Sequence, residues 1–88
     1  MNIKVYELCS YGQTADFEAI DFTGNNLDFD YSPNGWTSKG GNDDARKFTR
    51  DGMTIEVFRE GRLILLDAPF ELGENIAREI LSNWRRGS

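Results

Sequence analysis

The pattern of apolar and polar positions changes its period once along the chain. Up to Ala68 it alternates in short runs, and from Pro69 onward it repeats about every 3.6 residues. Ile3 to Leu8 is apolar and partly β-branched, and Ser10, Gly12 and Thr14 bound it, so it predicts a first strand. The run ADFEAIDFTGNNLDFDYS holds two alternating segments about Thr23, Gly24, Asn25 and Asn26, the pattern of a hairpin with a Gly24-Asn25 turn. In that register Phe22 faces Leu27, Ile20 faces Phe29 and Glu18 faces Tyr31 on one side. Asp21 faces Asp28 and Ala19 faces Asp30 on the other, which gives an apolar face and an acidic one.

The later run RKFTRDGMTIEVFREGRLILLDA carries turn signals at Asp51-Gly52 and Glu60-Gly61, which divide it into a three-strand meander. With Asp51-Gly52 as a turn, Phe48 opposes Ile55 and Lys47 opposes Glu56, an apolar pair and an opposite-charge pair. Arg62 to Ala68 is apolar on both faces, which predicts a central strand. Beyond it, Leu72, Ile76, Ala77, Ile80, Leu81 and Trp84 fall on one helical stripe. Pro69 suits a first helical turn, Glu71 and Glu74 suit the positive end of the helix, and Arg85 and Arg86 suit the negative end. Gly73 weakens the first turn by about 1 kcal/mol relative to alanine, which allows a start nearer Glu74. The expected fold is α+β: an antiparallel sheet of about five strands, a β-hairpin plus a β-meander, with one C-terminal α-helix packed on one face. Residues 1–88 are expected to make a single domain.

With 39% apolar and 12% aromatic residues, the composition is that of a globular domain. No apolar run approaches the roughly 18 residues of a membrane span, and Met1 to Ser10 lacks the pattern of a signal peptide. The single cysteine, Cys9, has no internal disulfide partner, so a reducing, cytoplasmic setting is expected.

Charge narrows the choice of partner. The formal net charge is −5, and the acidity lies in the first half, where eight acids face only Lys4 and Lys39. Such a balance disfavours direct binding to a phosphate backbone, and the Arg46, Lys47, Arg50, Arg59 and Arg62 cluster is too small to reverse it. It favours a basic protein partner, with nucleic-acid-binding complexes in that class.

Most catalytic chemistries lack their residues. There is no histidine, which removes the usual neutral-pH acid/base and the histidine-activated nucleophiles. Cys9 reads as an edge or packing residue, and no glycine-rich phosphate loop of standard spacing occurs. DFDYSPNGWTSK begins like a calcium loop but places Pro33 at the sixth position and Lys39 at the twelfth, where glycine and glutamate are required. A looser divalent site among Asp21, Asp28 and Asp30 competes with the simpler account of a solvated acidic face. No enzyme activity, cofactor or metal is expected.

Trp36 stands in a loop of about 15 residues, long for a compact domain, directly after a turn expected at Ser32-Pro33-Asn34-Gly35. Two roles suit it: an anchor that pins the loop to the core, or an exposed anchor for a partner. The expected partner-binding residues are Asp21, Asp28, Asp30, Tyr31, Trp36, Asp43 and Asp44. They suggest a small acidic interaction module, an inhibitor or regulator of a basic surface, monomeric or a weak homodimer. In this general character the chain is similar to phage-encoded inhibitors of bacterial defence, including anti-CRISPR proteins that occupy basic nucleic-acid channels. That likeness is one of class and carries no residue across. The alternatives are a small-molecule or divalent-ion binding domain and an auxiliary structural subunit of an oligomer.

Overall fold

Alternation in the first 21 residues produces two long strands, β1 (Ile3–Tyr11) and β2 (Thr14–Asp21), joined by a tight turn into an antiparallel hairpin. β3 (Thr37–Gly41), β4 (Ala45–Arg50), β5 (Met53–Phe58) and β6 (Arg62–Pro69) form a meander. β6 returns to pair with β2, so the order across the sheet is β1-β2-β6-β5-β4-β3, antiparallel throughout. The computed structural model describes residues 2–87. α1 (Gly73–Asn83) follows β6 and crosses β1, β2 and β6. The fold is α+β as expected, with six strands rather than five.

The meander register matches the sequence pattern. Phe48 pairs with Ile55 and Lys47 with Glu56, and β6, apolar on both faces, lies between β2 and β5. The added strand is β3, TSKGG, whose side chains are all exposed. An edge strand that buries nothing has no apolar period to announce it.

The hairpin expected between residues 15 and 31 does not form. Asp21 ends β2, and residues 22–36 run across the sheet as a loop whose Leu27, Phe29, Tyr31 and Trp36 pack on the core. β2 therefore has the opposite sidedness to the one expected. Ala15, Phe17 and Ala19 face the helix together with Asp21, while Glu18 and Ile20 lie on the other face. The local alternation fits either assignment. The choice falls to β6, which pairs Phe17 with Leu65 and Ala19 with Leu63, and so aligns these residues with its own core side.

One sheet face forms the core, where Phe48, Ile55, Val57, Leu63 and Leu65 meet Ala77, Leu81 and Trp84 from the helical segment. Trp84, 2% exposed, is the central aromatic. Its ring lies 5.0 Å from Tyr31 and 5.7 Å from Phe48 between centroids, and its indole N–H donates to the Asp28 carbonyl. The helix begins at Gly73, and Pro69 closes β6 instead of opening the helix. Leu72, expected on the buried stripe, is exposed. Gly73 has a packing reason, since a β-carbon there would overlap the Phe17 ring. The missing side chain lets the first turn sit directly on β2. No helix of the described residues is long and apolar enough to cross a membrane.

The other sheet face carries Ile20, Phe58, Ile64 and Leu66 among Glu18, Lys47, Glu56 and Arg62, all outside the core cluster. Arg62 lies over the Phe58 ring at 4.0 Å and pairs with Glu18 at 3.2 Å.

Candidate partner-binding site

Arginines decide what becomes of the acidic residues. The Asp21 side chain is 0% exposed, and its carboxylate accepts from Thr23 N–H at 2.9 Å, Thr23 Oγ1 at 2.8 Å and Arg86 Nη2 at 2.7 Å. Burial pushes this carboxyl's pKa up, but the bonds from Thr23 and Arg86 outweigh burial and hold it below the ordinary carboxylate value. Asp28 accepts from the Asp30 backbone N–H at 2.8 Å and from Arg85 Nε at 2.7 Å. Those two contacts, in that order, depress its pKa. Both aspartates are thus neutralised within the molecule and serve structure. The expected acidic strip of Asp21, Asp28 and Asp30 does not exist, because its hairpin is absent and its first two members are held by Arg86 and Arg85. The same pairing removes the divalent site considered for these three, and among the described residues no three acidic or cysteine side chains group to hold a metal ion.

The remaining predicted residues fall into two places. Asp30, Asp43 and Asp44 are exposed at one end of β3. Asp30 and Asp43 line one shallow hollow with Phe29, Arg46 and Arg59. Asn42 Oδ1 accepts from the N–H groups of Asp44 and Ala45 and shapes the turn, while Arg59 donates to the Asp43 carbonyl and lies 4.6 Å from the centre of the Phe29 ring. Trp36 lies at the other end, and Tyr31, the neighbour of Asp30 in the chain, turns its ring into the same groove as Trp36. With β3 between them, the tryptophan and the 43–44 turn are roughly 20 Å apart by strand rise. Trp36 and the Asp43-Asp44 turn are therefore two features, with Asp30 between them beside Tyr31.

The Trp36 end is the more concave. The turn spans Pro33 to Trp36, with Trp36 N–H donating to the Pro33 carbonyl and Gly35 at φ +86°, one residue later than the sequence suggests. The positive φ needs glycine at that third place, and the Arg50 guanidinium lies against Gly35. The turn holds Trp36 over a groove of about 470 Å³ between the loop, the β4–β5 turn and α1. Tyr31, Trp36, Met53, Ile76 and Ile80 supply its apolar surface, all partly buried against the core. Asn34, Asn83, Arg50, Asp51 and Glu79 form its polar rim. Arg50 pairs with Asp51 at 3.5 Å. Glu79 is exposed and has no ion pair among the described residues, so the rim keeps an unmatched negative charge.

Neither role expected for Trp36 fits alone: it packs against the core and also lines the groove. Sequence reasoning missed the helical contribution. Ile76, Glu79 and Ile80 share one face at i, i+3 and i+4, but the stripe reads as core, and the loop that leaves it half covered has no sequence signal. It also missed the work of the basic residues. Arg46 reaches the Phe29 and Tyr31 carbonyls and lies 4.7 Å from the Phe48 ring centre, so it fastens the loop to the sheet. With Arg50 on Asp51 and Arg62 on Glu18, the expected positive cluster is divided among internal contacts.

The chain matches no family model, no curated protein and no solved structure.

Proposed function

We propose that the chain is a non-catalytic interaction module that docks on a basic protein surface by seating a partner side chain in the Trp36 groove. The observation that carries this reading is the pairing of a partly buried apolar floor with a rim whose unmatched charge is Glu79. An aliphatic or aromatic side chain gains from the floor, and a neighbouring lysine or arginine gains from the rim. Asp43 and Asp44, about 20 Å away along β3, and Asp30, beside Tyr31, extend the negative field and speed encounter without contributing the main contact. An inhibitor or regulator that covers a nucleic-acid-binding surface of its partner is the role that suits this charge.

Affinity purification of the tagged chain from its native cells tests the reading. Trp36→Ala and Glu79→Arg are expected to lose the partner at every salt concentration, and Asp30→Asn/Asp43→Asn/Asp44→Asn to weaken capture chiefly at low salt. Full retention by both groove variants would overturn it.

A second reading has one observation in its favour. The groove volume of about 470 Å³ lies in the range of small-molecule sites, about 300 to 1,000 Å³. A metabolite panel that raises the melting temperature of the wild type and not of Trp36→Ala would support a small ligand instead.

A further inference from the structure

Opposite the Trp36 end, the sheet finishes in β1, nine residues long and paired on one side only. Its free edge has a definite polarity. The Asn2 carbonyl accepts from Phe22 N–H, so even-numbered positions bond to β2, and the N–H and C=O groups of Ile3, Val5 and Glu7 point outward. Arg78, reaching from α1, already donates to the outward Ile3 carbonyl at 2.9 Å. A bulge between Glu7 and Cys9 interrupts the strand, so the regular free stretch runs from Ile3 to Glu7. Tyr6, Leu8 and Tyr11 stand 45%, 52% and 55% exposed along the same strand.

We infer that β1 is a self-association edge, on which a second copy of this chain pairs antiparallel about a two-fold axis at Val5. The register follows from the strand itself. Val5 is the midpoint of the regular stretch, and centring the axis there opposes Val5 to Val5, Ile3 to Glu7 and Lys4 to Tyr6. Each opposed pair then shares a sheet face; Val5 meets Val5 and the Ile3 N–H meets the Glu7 carbonyl in hydrogen-bonded positions, while the Ile3 carbonyl takes the Glu7 N–H on the lone pair that Arg78 leaves open. Charge complementarity picks out the same arrangement. Glu7 is exposed, lies on the helix-side face because it pairs with Phe17, and has no ion pair among the described residues. Across the axis it comes to Ile3 of the other copy, where the Arg78 guanidinium, half exposed and held only loosely by Glu74 of its own helix at 3.5 Å, lies at the edge. Lys4 meets Tyr6 on the opposite face, an ammonium against an aromatic ring. The pairing is symmetric, so each contact occurs twice.

The resulting sheet is continuous through both copies and carries a Trp36 groove in each, on the side of α1 away from the axis. A dimer of this kind engages a repetitive partner at two points, which raises avidity without any new contact. The edge and the groove lie on opposite sides of α1, Arg78 at one and Glu79 at the other, and share no side chain, so loss of one leaves the other in place. Five paired residues make a small interface, and the association is expected to be weak and concentration-dependent.

Sedimentation equilibrium over about 5 to 500 µM, a range that brackets weak association, reads the mass directly. The wild type should shift with concentration from the 10.0 kDa chain toward twice that mass. Glu7→Arg, an exposed change that places two cations together, should weaken association by at least about tenfold. Glu7→Arg/Arg78→Glu restores the pair with reversed sign and should recover most of it. Amide exchange gives a second readout, with the Val5 N–H becoming protected as concentration rises. A wild type that remains 10.0 kDa throughout, or a Glu7→Arg variant that associates as well as wild type, overturns the proposal. A double variant no better than Glu7→Arg overturns the register.

Discussion

Arg86 Nη2 donates to Asp21 Oδ2 at 2.7 Å, joining the end of β2 to the chain just beyond α1, 65 residues later. The same guanidinium donates to the Leu81 and Trp84 carbonyls, so one side chain caps the helix and neutralises a buried acid. Arg86→Ala is expected to destabilise the fold by about 3 to 5 kcal/mol in urea unfolding, since it strands a fully buried carboxylate. Replacing both partners, as Asp21→Leu/Arg86→Met, should cost clearly less than Arg86→Ala, because no charge is left unpaired. Equal losses would mean that the ion pair does not couple the two segments.

The same pair sets the acid limit of stability. Asp21 and Asp28 have carboxyl pKa values lowered on folding, so their stabilisation is present above the unfolded value of about 3.9 and is lost as pH falls through the lower folded values. With no histidine to titrate, the melting temperature should be nearly flat from about pH 5 to 8 and should fall steeply below about pH 4. Asp21→Asn should flatten the acid limb. A midpoint that drops already at about pH 6 would contradict this assignment.

How much of this was legible in the sequence depended on how far away the deciding residue lay. The meander was readable because Asp51-Gly52 and Glu60-Gly61 fix short-range turns, and Phe48 with Ile55 and Lys47 with Glu56 support one register locally. The supposed hairpin at Gly24-Asn25 failed because the sidedness of β2 is set by β6, more than 40 positions later. The burial of Asp21 depends on an arginine near the end of the chain. An aspartate next to a strand end looks like a wet-face residue until its cation is known. In the site, Trp36 and Tyr31 could be named from composition and loop length, whereas Ile76, Glu79 and Ile80 could not, because the loop that meets them follows no periodic pattern.

Gly73 and Phe17 make a second sharp test of packing. Alanine is the better helix former by about 1 kcal/mol, yet its methyl would overlap the Phe17 ring. Gly73→Ala should therefore destabilise, by about 1 to 3 kcal/mol, and Phe17→Leu in the same chain should recover part of that loss. A Gly73→Ala variant more stable than wild type would show that α1 has room to move off β2.

The two tryptophans should separate in their effects. Trp84, enclosed by Tyr31 and Phe48, is expected to cost about 3 to 5 kcal/mol on truncation to alanine. Trp36, partly buried at the groove, should cost only about 1 to 2 kcal/mol. Thermal melts of the two variants check this directly, and a Trp36→Ala variant as unstable as Trp84→Ala would make Trp36 a core residue first.

Docking through the groove is tested most directly by a photo-reactive side chain placed at Asn34, on the groove rim, with Lys47 on the uncovered sheet face as the comparison position. Irradiation in the native cells should give a cross-linked product with a basic protein from Asn34, abolished by a companion Trp36→Ala change, and little from Lys47. A product that forms from Lys47 and not from Asn34, or that survives loss of Trp36 undiminished, would place the partner elsewhere and contradict the account.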